Sequence, residues 1–164
     1  MGHGSAPIRC RSFHSCLHGA SERQAASIAV VVASGIHHLG VAVEDIDDAL
    51  ATYARLFGAT LEHRATVDEQ GVEAAAVLVG SSRIELLSPT EGDSPVGRFL
   101  ATRGPGMHHV AYEVADVGAA LDELAAAGAQ LIDERPRTGL FGLEVAFVHP
   151  DAAHGVLSEV VSRA

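Results

Sequence analysis

The sequence predicts an α+β fold built from two tandem βαβββ modules that form one curved mixed sheet. The first observation is an internal repeat: HHLGVAVEDIDDAL at 37–50 matches HHVAYEVADVGAAL at 108–121, with six of fourteen positions identical. The second is that each copy passes from an alternating apolar segment to a helical one and then to further strand-like segments. Self-similarity of this kind marks one structural unit used twice.

The first module, about residues 35–90, begins with IHHLGVAV, whose alternation predicts a strand. Asp45 stands where an N-cap would open the next helix, and Gly58 stands where that helix ends. A short strand start follows this glycine. VEAAAVLVG and RIELLSP then predict two strands, which a turn at 80–82 divides.

The second module, about residues 106–164, repeats this order. MHHVAYEV predicts its first strand, and a helix follows over 117–127, closed by Gly128. LEVAFVHP and GVLSEVVS predict its last strands. The segment 90–105 joins the modules and contains a short predicted helix near 96–102.

Residues 1–34 differ in composition from the predicted domain at 35–164. They are rich in Ser, Arg, Gly and His, and Glu22 is their one acidic residue. We interpret them as a disordered N-terminal extension. The alternative is a mitochondrial transit peptide, because such peptides are also rich in Arg and Ser. The expected location is therefore the cytoplasm, or the mitochondrial matrix under the alternative.

Charge and composition exclude several classes of function. The formal net charge of −10 argues against nucleic acid as a partner. No apolar stretch reaches the 18 residues that a membrane helix needs, so we expect no membrane span. The chain has no lysine, which excludes Schiff-base chemistry. Both cysteines lie before residue 17, so the predicted domain has no thiolate ligand.

Strand alternation predicts a shared site for one histidine of each repeat copy. Successive side chains of a strand point to opposite faces, so His38 shares its face with small residues and His109 does the same in the second copy. The large apolar residues of both strands point the other way, toward the helices. Alternation places His37 and His108 on that opposite face, with a packing role.

Two acidic residues complete the predicted site. Glu85 and Glu159 each interrupt an apolar strand at the end of their module, and a buried carboxylate requires a partner. Two imidazoles and two carboxylates related by the repeat indicate a divalent metal site. Such N and O ligands suit Zn, Mn, Co, Ni or Fe(II). We therefore expect the sheet to curve around a metal-containing cavity.

Several motifs resemble a known family. The paired modules resemble the vicinal oxygen chelate (glyoxalase/bleomycin resistance/dioxygenase) superfamily. Within it, GIHHLGVAVEDID, RIELLSP, GPGMHHVAYEVADV, FVHP and GVLSEVV are similar to the methylmalonyl-CoA epimerase family, over residues 35–161. The resemblance implies a homodimer with an acyl-CoA substrate. It also implies metal-dependent interconversion of the two C2 epimers of methylmalonyl-CoA, by proton abstraction and return through an enolate.

The resemblance also implies roles for particular residues. The family's metal ligands fall on His38, Glu85, His109 and Glu159, with Co, Mn, Zn or Ni as the metal. Glu159 is the implied ligand and base. Some relatives carry a second glutamate that acts on the opposite face of the substrate. At that position this chain has Ala74. The alternatives for the opposite face are the neighbouring Glu73 turned inward by a local register shift, a water molecule, or another acid.

A loop at 135–142 resembles the Gly-rich substrate loop of the family, although its middle residues differ from the usual ones. On this interpretation Arg135 or Arg137 binds the phosphates of CoA; the alternative is a simple interstrand turn.

Other activities of the superfamily remain as alternatives. A glyoxalase I-type lactoylglutathione lyase would share fold and metal, but its Asp-Pro-Asp-Gly ending is replaced by VHPD at 148–151. A non-catalytic small-molecule binding module generally lacks the four ligands. An extradiol dioxygenase usually needs a longer chain with further catalytic His or Tyr residues.

Overall fold

The computed structural model describes residues 31 and 33–162. The prediction for the N-terminal extension therefore falls almost wholly outside the described residues. The strands are β1 (Gly35–Ala42), β2 (Thr60–Val67), β3 (Val72–Val79), β4 (Ser82–Pro89), β5 (Gly106–Glu113), β6 (Arg137–Thr138), β7 (Glu144–Val148) and β8 (Ser158–Ser162). The helices are α1 (Ile46–Phe57), α2 (Pro95–Arg103) and α3 (Val117–Ala126). Three short 3₁₀ turns lie at Asp68–Gln70, Leu140–Gly142 and Pro150–Ala153.

All eight strands form one mixed sheet in the order β2-β3-β4-β1-β5-β8-β7-β6, curled into a half-barrel. The first strands of the two modules, β1 and β5, pair antiparallel at its centre. Each is flanked by the last strand of its own module in parallel, β4 beside β1 and β8 beside β5. The predicted α+β fold is therefore confirmed, and the two modules meet about a pseudo-twofold axis.

The helices begin and end where the sequence predicts. The Asp45 side chain accepts a hydrogen bond from the Asp48 amide at 2.8 Å, and Asp116 repeats this with the Ala119 amide at 2.7 Å. Gly58 closes α1 in the left-handed region, with φ 65°. The two-residue strand β6 was not predicted, because Pro136 and two nearby glycines replace an alternating pattern there.

Apolar side chains fill both faces of the sheet. On the outer face, α1 packs on a cluster that includes Ala75, Val77 and Leu86, and α3 packs on a second cluster built around Val117 and Val160. A third cluster lies on the concave face, where β3 and β4 meet α2 and the 3₁₀ turn after β6. Its buried members are Ala42, Val72, Ala74, Ala76, Leu87, Val96 and Leu140.

The central strand pair contains two β-bulges. The register passes from Ile36 opposite Tyr112 to His38 opposite Ala111, so His37 is an extra residue on β1. It then passes from Gly40 opposite His109 to Val41 opposite Met107, so His108 is an extra residue on β5. A bulge turns the side chains around it away from strict alternation. The two modules thus carry matching bulges at matching histidines.

None of the helices in the described part of the chain is long and apolar enough to span a bilayer.

Leu86→Ala tests the outer core. Leu86 is fully buried under α1, so we expect this substitution to lower the free energy of unfolding by about 2–5 kcal/mol, measured by urea denaturation. Leu56→Ala is the matched control, because Leu56 is exposed and a surface change is expected to stay within about 0.5 kcal/mol. Equal effects of the two substitutions would contradict this packing.

Candidate metal centre and active site

Four polar side chains meet on the concave face at the middle of the sheet. They come from the adjacent strands β4, β1, β5 and β8, which carry Glu85, His38, His109 and Glu159 in that order. All four are buried, with exposed fractions between 3% and 8%. The structure therefore brings together the four residues that the repeat and the alternation selected from the sequence.

The four side chains approach one another through their terminal atoms. The Nε2 atoms of His38 and His109 lie 3.1 Å apart. His38 Nε2 is 2.7 Å from Glu85 Oε2 and 3.1 Å from Glu159 Oε2, and His109 Nε2 is 3.3 Å from that same Glu159 oxygen. The ligand atoms of the two histidines and Glu159 all lie within 4.8 Å of one another. This spacing allows a single ion to contact all three.

The donor set fits a divalent metal. Glu159 Oε2 is buried and makes no hydrogen bond within the described structure, since neither nearby imidazole meets hydrogen-bond geometry at that oxygen. A buried carboxylate oxygen without a hydrogen bond is costly unless a cation satisfies it. Two imidazole nitrogens with carboxylate oxygens are ligands that divalent transition metals accept. The cluster can therefore hold a divalent metal ion.

Electrostatics within the cluster stabilise the charged forms of His38 and Glu159. Burial alone would lower the pKa of His38, but its contacts with Glu159 and Glu85 outweigh burial and raise that pKa to about 9. Burial alone would raise the pKa of Glu159, yet the two imidazoles hold it well below its usual range. The site thus favours a cation beside the Glu159 carboxylate.

The expectation that His37 and His108 lie on the opposite face is wrong. His37 Nδ1 lies 2.8 Å from His38 Nδ1, and His108 Nδ1 lies 3.0 Å from His109 Nδ1. The bulges are the physical reason, because the extra residue in each strand breaks alternation at this point. The doubled His-His pair in both copies of the repeat was the one signal in the sequence. His37 also accepts a hydrogen bond at Nε2 from Arg83, at 3.0 Å.

The cavity beside the cluster is walled by β3, β4 and the loop at 139–143. Among its lining residues, sequence analysis missed Arg83 and included Phe141 only as part of the loop at 135–142. A salt bridge with both carboxylate oxygens of Glu62, at 2.7 and 2.8 Å, holds the Arg83 guanidinium in the wall. Its contacts join residues distant in sequence, which no local pattern reveals.

Glu73 does not reach this cavity. The pairing of β3 with β4 runs without a register shift, so Val72 and Ala76 face the cavity while Glu73 faces away. Its carboxylate instead pairs with the Arg64 guanidinium at 2.7 Å. The expectation that a local shift turns Glu73 inward is therefore wrong.

The two arginines expected at the CoA phosphates differ in their surroundings. Arg135 is exposed, whereas Arg137 is half-buried beside Asp133, with an N···O distance of 3.0 Å. The Arg137 guanidinium also lies 5.6 Å from the centre of the Phe147 ring. Arg135 is thus the more accessible of the two to a phosphate in solution.

Comparison with known proteins places the chain in a superfamily. The family model described as Glyoxalase/Bleomycin resistance protein/Dioxygenase superfamily matches residues 37–147. The chain belongs to this superfamily.

Similar proteins identify the family within this superfamily. The mitochondrial methylmalonyl-CoA epimerase of Bos taurus is 35% identical, over 76% of this chain and 72% of the relative. The crystal structure of methylmalonyl-CoA epimerase from Mycobacterium tuberculosis superposes with a TM-score of 0.78 at 35% identity, covering 83% of this chain and 92% of that one. A methylmalonyl-CoA epimerase solved in complex with methylmalonyl-CoA and NH4+ superposes with a TM-score of 0.78 at 36% identity, covering 81% of this chain and 96% of that one. Within the superfamily, the chain belongs to the methylmalonyl-CoA epimerase family.

Gly40→Val tests how closely β1 approaches the cluster. A Cβ atom at Gly40 would lie 2.3 Å from the nearest atom of the His109 ring, so a branched side chain must displace that imidazole. We expect the variant to fold but to lose most of its bound divalent metal, measured by elemental analysis after dialysis. Gly35→Val is the control, because open space surrounds that position. Full metal content in Gly40→Val would contradict this arrangement.

Proposed function

We propose that this chain is a metal-dependent methylmalonyl-CoA epimerase, which interconverts the two C2 epimers by removing the α-proton from one face and adding a proton to the opposite face of the resulting enolate. The observation that carries the proposal is the buried cluster of His38, His109, Glu85 and Glu159. Family membership and the relative solved with methylmalonyl-CoA support the choice of substrate. A glyoxalase I-type activity has no comparable support among these relatives.

The proposed ligand set is His38, Glu85, His109 and Glu159, with Co, Mn, Zn or Ni as the metal. Glu85 is included because its Oε2 atom lies 2.7 Å from His38 Nε2, at the edge of the three-residue cluster. When bound, the metal supplies a Lewis acid that lowers the energy of a negatively charged thioester oxygen. Mixed nitrogen and oxygen donors suit each of these ions.

Glu159 is the proposed proton acceptor. Its carboxylate reaches the cavity from β8, with its Oε2 atom 3.1 Å from His38 Nε2 and 3.3 Å from His109 Nε2. Proton transfer requires a base within hydrogen-bond reach of the substrate carbon that loses its proton. Among the described residues, Glu159 and Glu85 are the two carboxylates that line the cavity.

Within this proposal, water donates the proton on the opposite face of the substrate. With Glu73 paired to Arg64 outside the cavity, the lining residues of the described chain offer no third carboxylate there.

The remaining features of the proposal concern assembly and location. We propose that Arg135 meets the CoA phosphates, with Arg137 as the second choice because Asp133 already pairs with it. We also propose a homodimer in the cytoplasm whose domain spans 35–164, with the matrix as the location if the N-terminal extension is a transit peptide.

Incubation in deuterated water tests the activity. Purified protein loaded with Co²⁺ is mixed with one epimer of methylmalonyl-CoA and followed by NMR. We expect deuterium at C2 together with formation of the other epimer, and neither in protein stripped with EDTA. Absence of exchange with each of the four metals would exclude the proposed function.

Substitution of the ligands tests the metal site. Because His109 and Glu159 each supply a buried ligand atom, His109→Ala and Glu159→Ala are expected to abolish stoichiometric metal binding. Glu144→Ala is the control, since Glu144 is exposed on β7 and lies outside the cluster. Unchanged metal content in both ligand variants would rule out this ligand set.

A further inference from the structure

One loop connects the two ends of the curled sheet across the metal cluster. The loop, residues 139–143, joins β6 to β7 at one edge of the strand order, yet it packs against β2 at the opposite edge. We call these five residues the strap. Because the sheet is curled, a contact between its two ends closes the concave face over whatever lies inside. The strap supplies Leu140 and Phe141 to the wall of the metal-site cavity.

Phe141 makes the contact that holds the strap. Its ring stacks on the His63 ring of β2, with centroids 4.6 Å apart and planes 28° from parallel. The Arg83 guanidinium of β4 lies 5.5 Å from the centre of the same ring. Stacking and cation–π contacts of this kind are attractive and directional. They link the second module to the first at a point where the sheet itself provides no hydrogen bond.

The backbone conformation of Phe141 is energetically unfavourable, so the contacts of its side chain must compensate for it. Its φ of 64° lies in the left-handed region, which side chains larger than glycine rarely adopt. The ring is also 41% exposed, so burial of apolar surface is not its main compensation. Strained residues of this type persist where surrounding contacts hold them, and they concentrate at functional sites.

The small size of the cavity gives the strap a function. Its free volume of about 20 Å³ holds about one water molecule, whereas a malonyl-type acyl group is several times larger. An acyl thioester therefore requires the cavity to open. The backbone N–H groups of Gly139, Gly142 and Leu143 donate to carbonyl oxygens within the strap itself, so the strap can move as one segment.

We propose that Phe141 is a positioning residue for the reaction, which latches the strap over the bound acyl thioester and keeps bulk water from the enolate. The inference rests on the proposed function for its substrate. The latch consists of the Phe141 ring between His63 and Arg83, and opening it exposes the metal cluster to solvent. Closure also limits exchange of the abstracted proton with water before it returns to carbon.

Two substitutions separate the ring from the backbone strain. Phe141→Ala removes the ring and keeps a strained φ, whereas Phe141→Gly removes both. Phe57→Ala is the matched control, because Phe57 is an exposed aromatic on α1 that contacts Tyr53 and lies outside the strap. His63→Leu removes the stacking partner from the β2 side and serves if the Phe141 variants fail to fold.

Three measurements follow on metal-loaded protein. We expect both Phe141 variants to bind metal stoichiometrically but to lose it to EDTA about tenfold faster than wild type, as loss of one stacking and one cation–π contact implies. We expect KM for methylmalonyl-CoA to rise by about the same factor. In deuterated water, a larger share of the deuterated substrate should retain its starting configuration. His63→Leu should change the rate of metal loss, the KM and the share of retained configuration in the same directions.

The outcomes distinguish this inference from the proposed function. Wild-type rates of metal loss and wild-type KM in both Phe141 variants would overturn the latch. Restoration by Phe141→Gly of what Phe141→Ala loses would also overturn it, because backbone conformation and not the ring would then matter. Inactive wild-type protein would reject the proposed function alone, since EDTA stripping still reports whether the strap covers the metal.

Discussion

The antiparallel pairing of β1 with β5 is the constraint on which the rest of the structure depends. Gly40 lies opposite His109 and Ala111 lies opposite His38, so each imidazole crosses the small residue of the other module. This register brings the two Nε2 atoms to 3.1 Å. A slip of one residue would send both rings to the outer face, against the helices. The strands β4 and β8, which pair in parallel with β1 and β5, each supply one carboxylate.

Departures from the repeat give the two halves of the site different surroundings. His37 accepts a hydrogen bond from Arg83, which Glu62 holds in turn, whereas the matching His108 packs edge-on against Phe99 with ring centroids 5.0 Å apart. The second module also shortens one strand to the two residues of β6, and the chain that follows crosses the cavity as the strap. The repeat supplies the paired donors, and its irregularities supply the cavity walls.

Much of this arrangement follows from local patterns in the sequence. Alternation and the repeat predicted the strands, the capped helices and the meeting of four polar side chains, because period and position carry that information. They failed at His37 because a bulge adds a residue that interrupts the two-residue period, and the doubled His-His pair was its one signal in the sequence. Strict alternation turns Glu73 away from the cavity, and the alternative of a local register shift is wrong because β3 pairs with β4 without one. The contact of Phe141 with His63 spans the whole sheet, so only the fold reveals it.

In the proposed metal centre, both modules bind the same ion. X-ray absorption spectroscopy of Co²⁺-loaded protein tests this most directly, because it counts the imidazole ligands around the metal. The account predicts one Co²⁺ per chain with two imidazole nitrogens and the remaining positions filled by oxygen. A spectrum with one imidazole or none at full occupancy would contradict it.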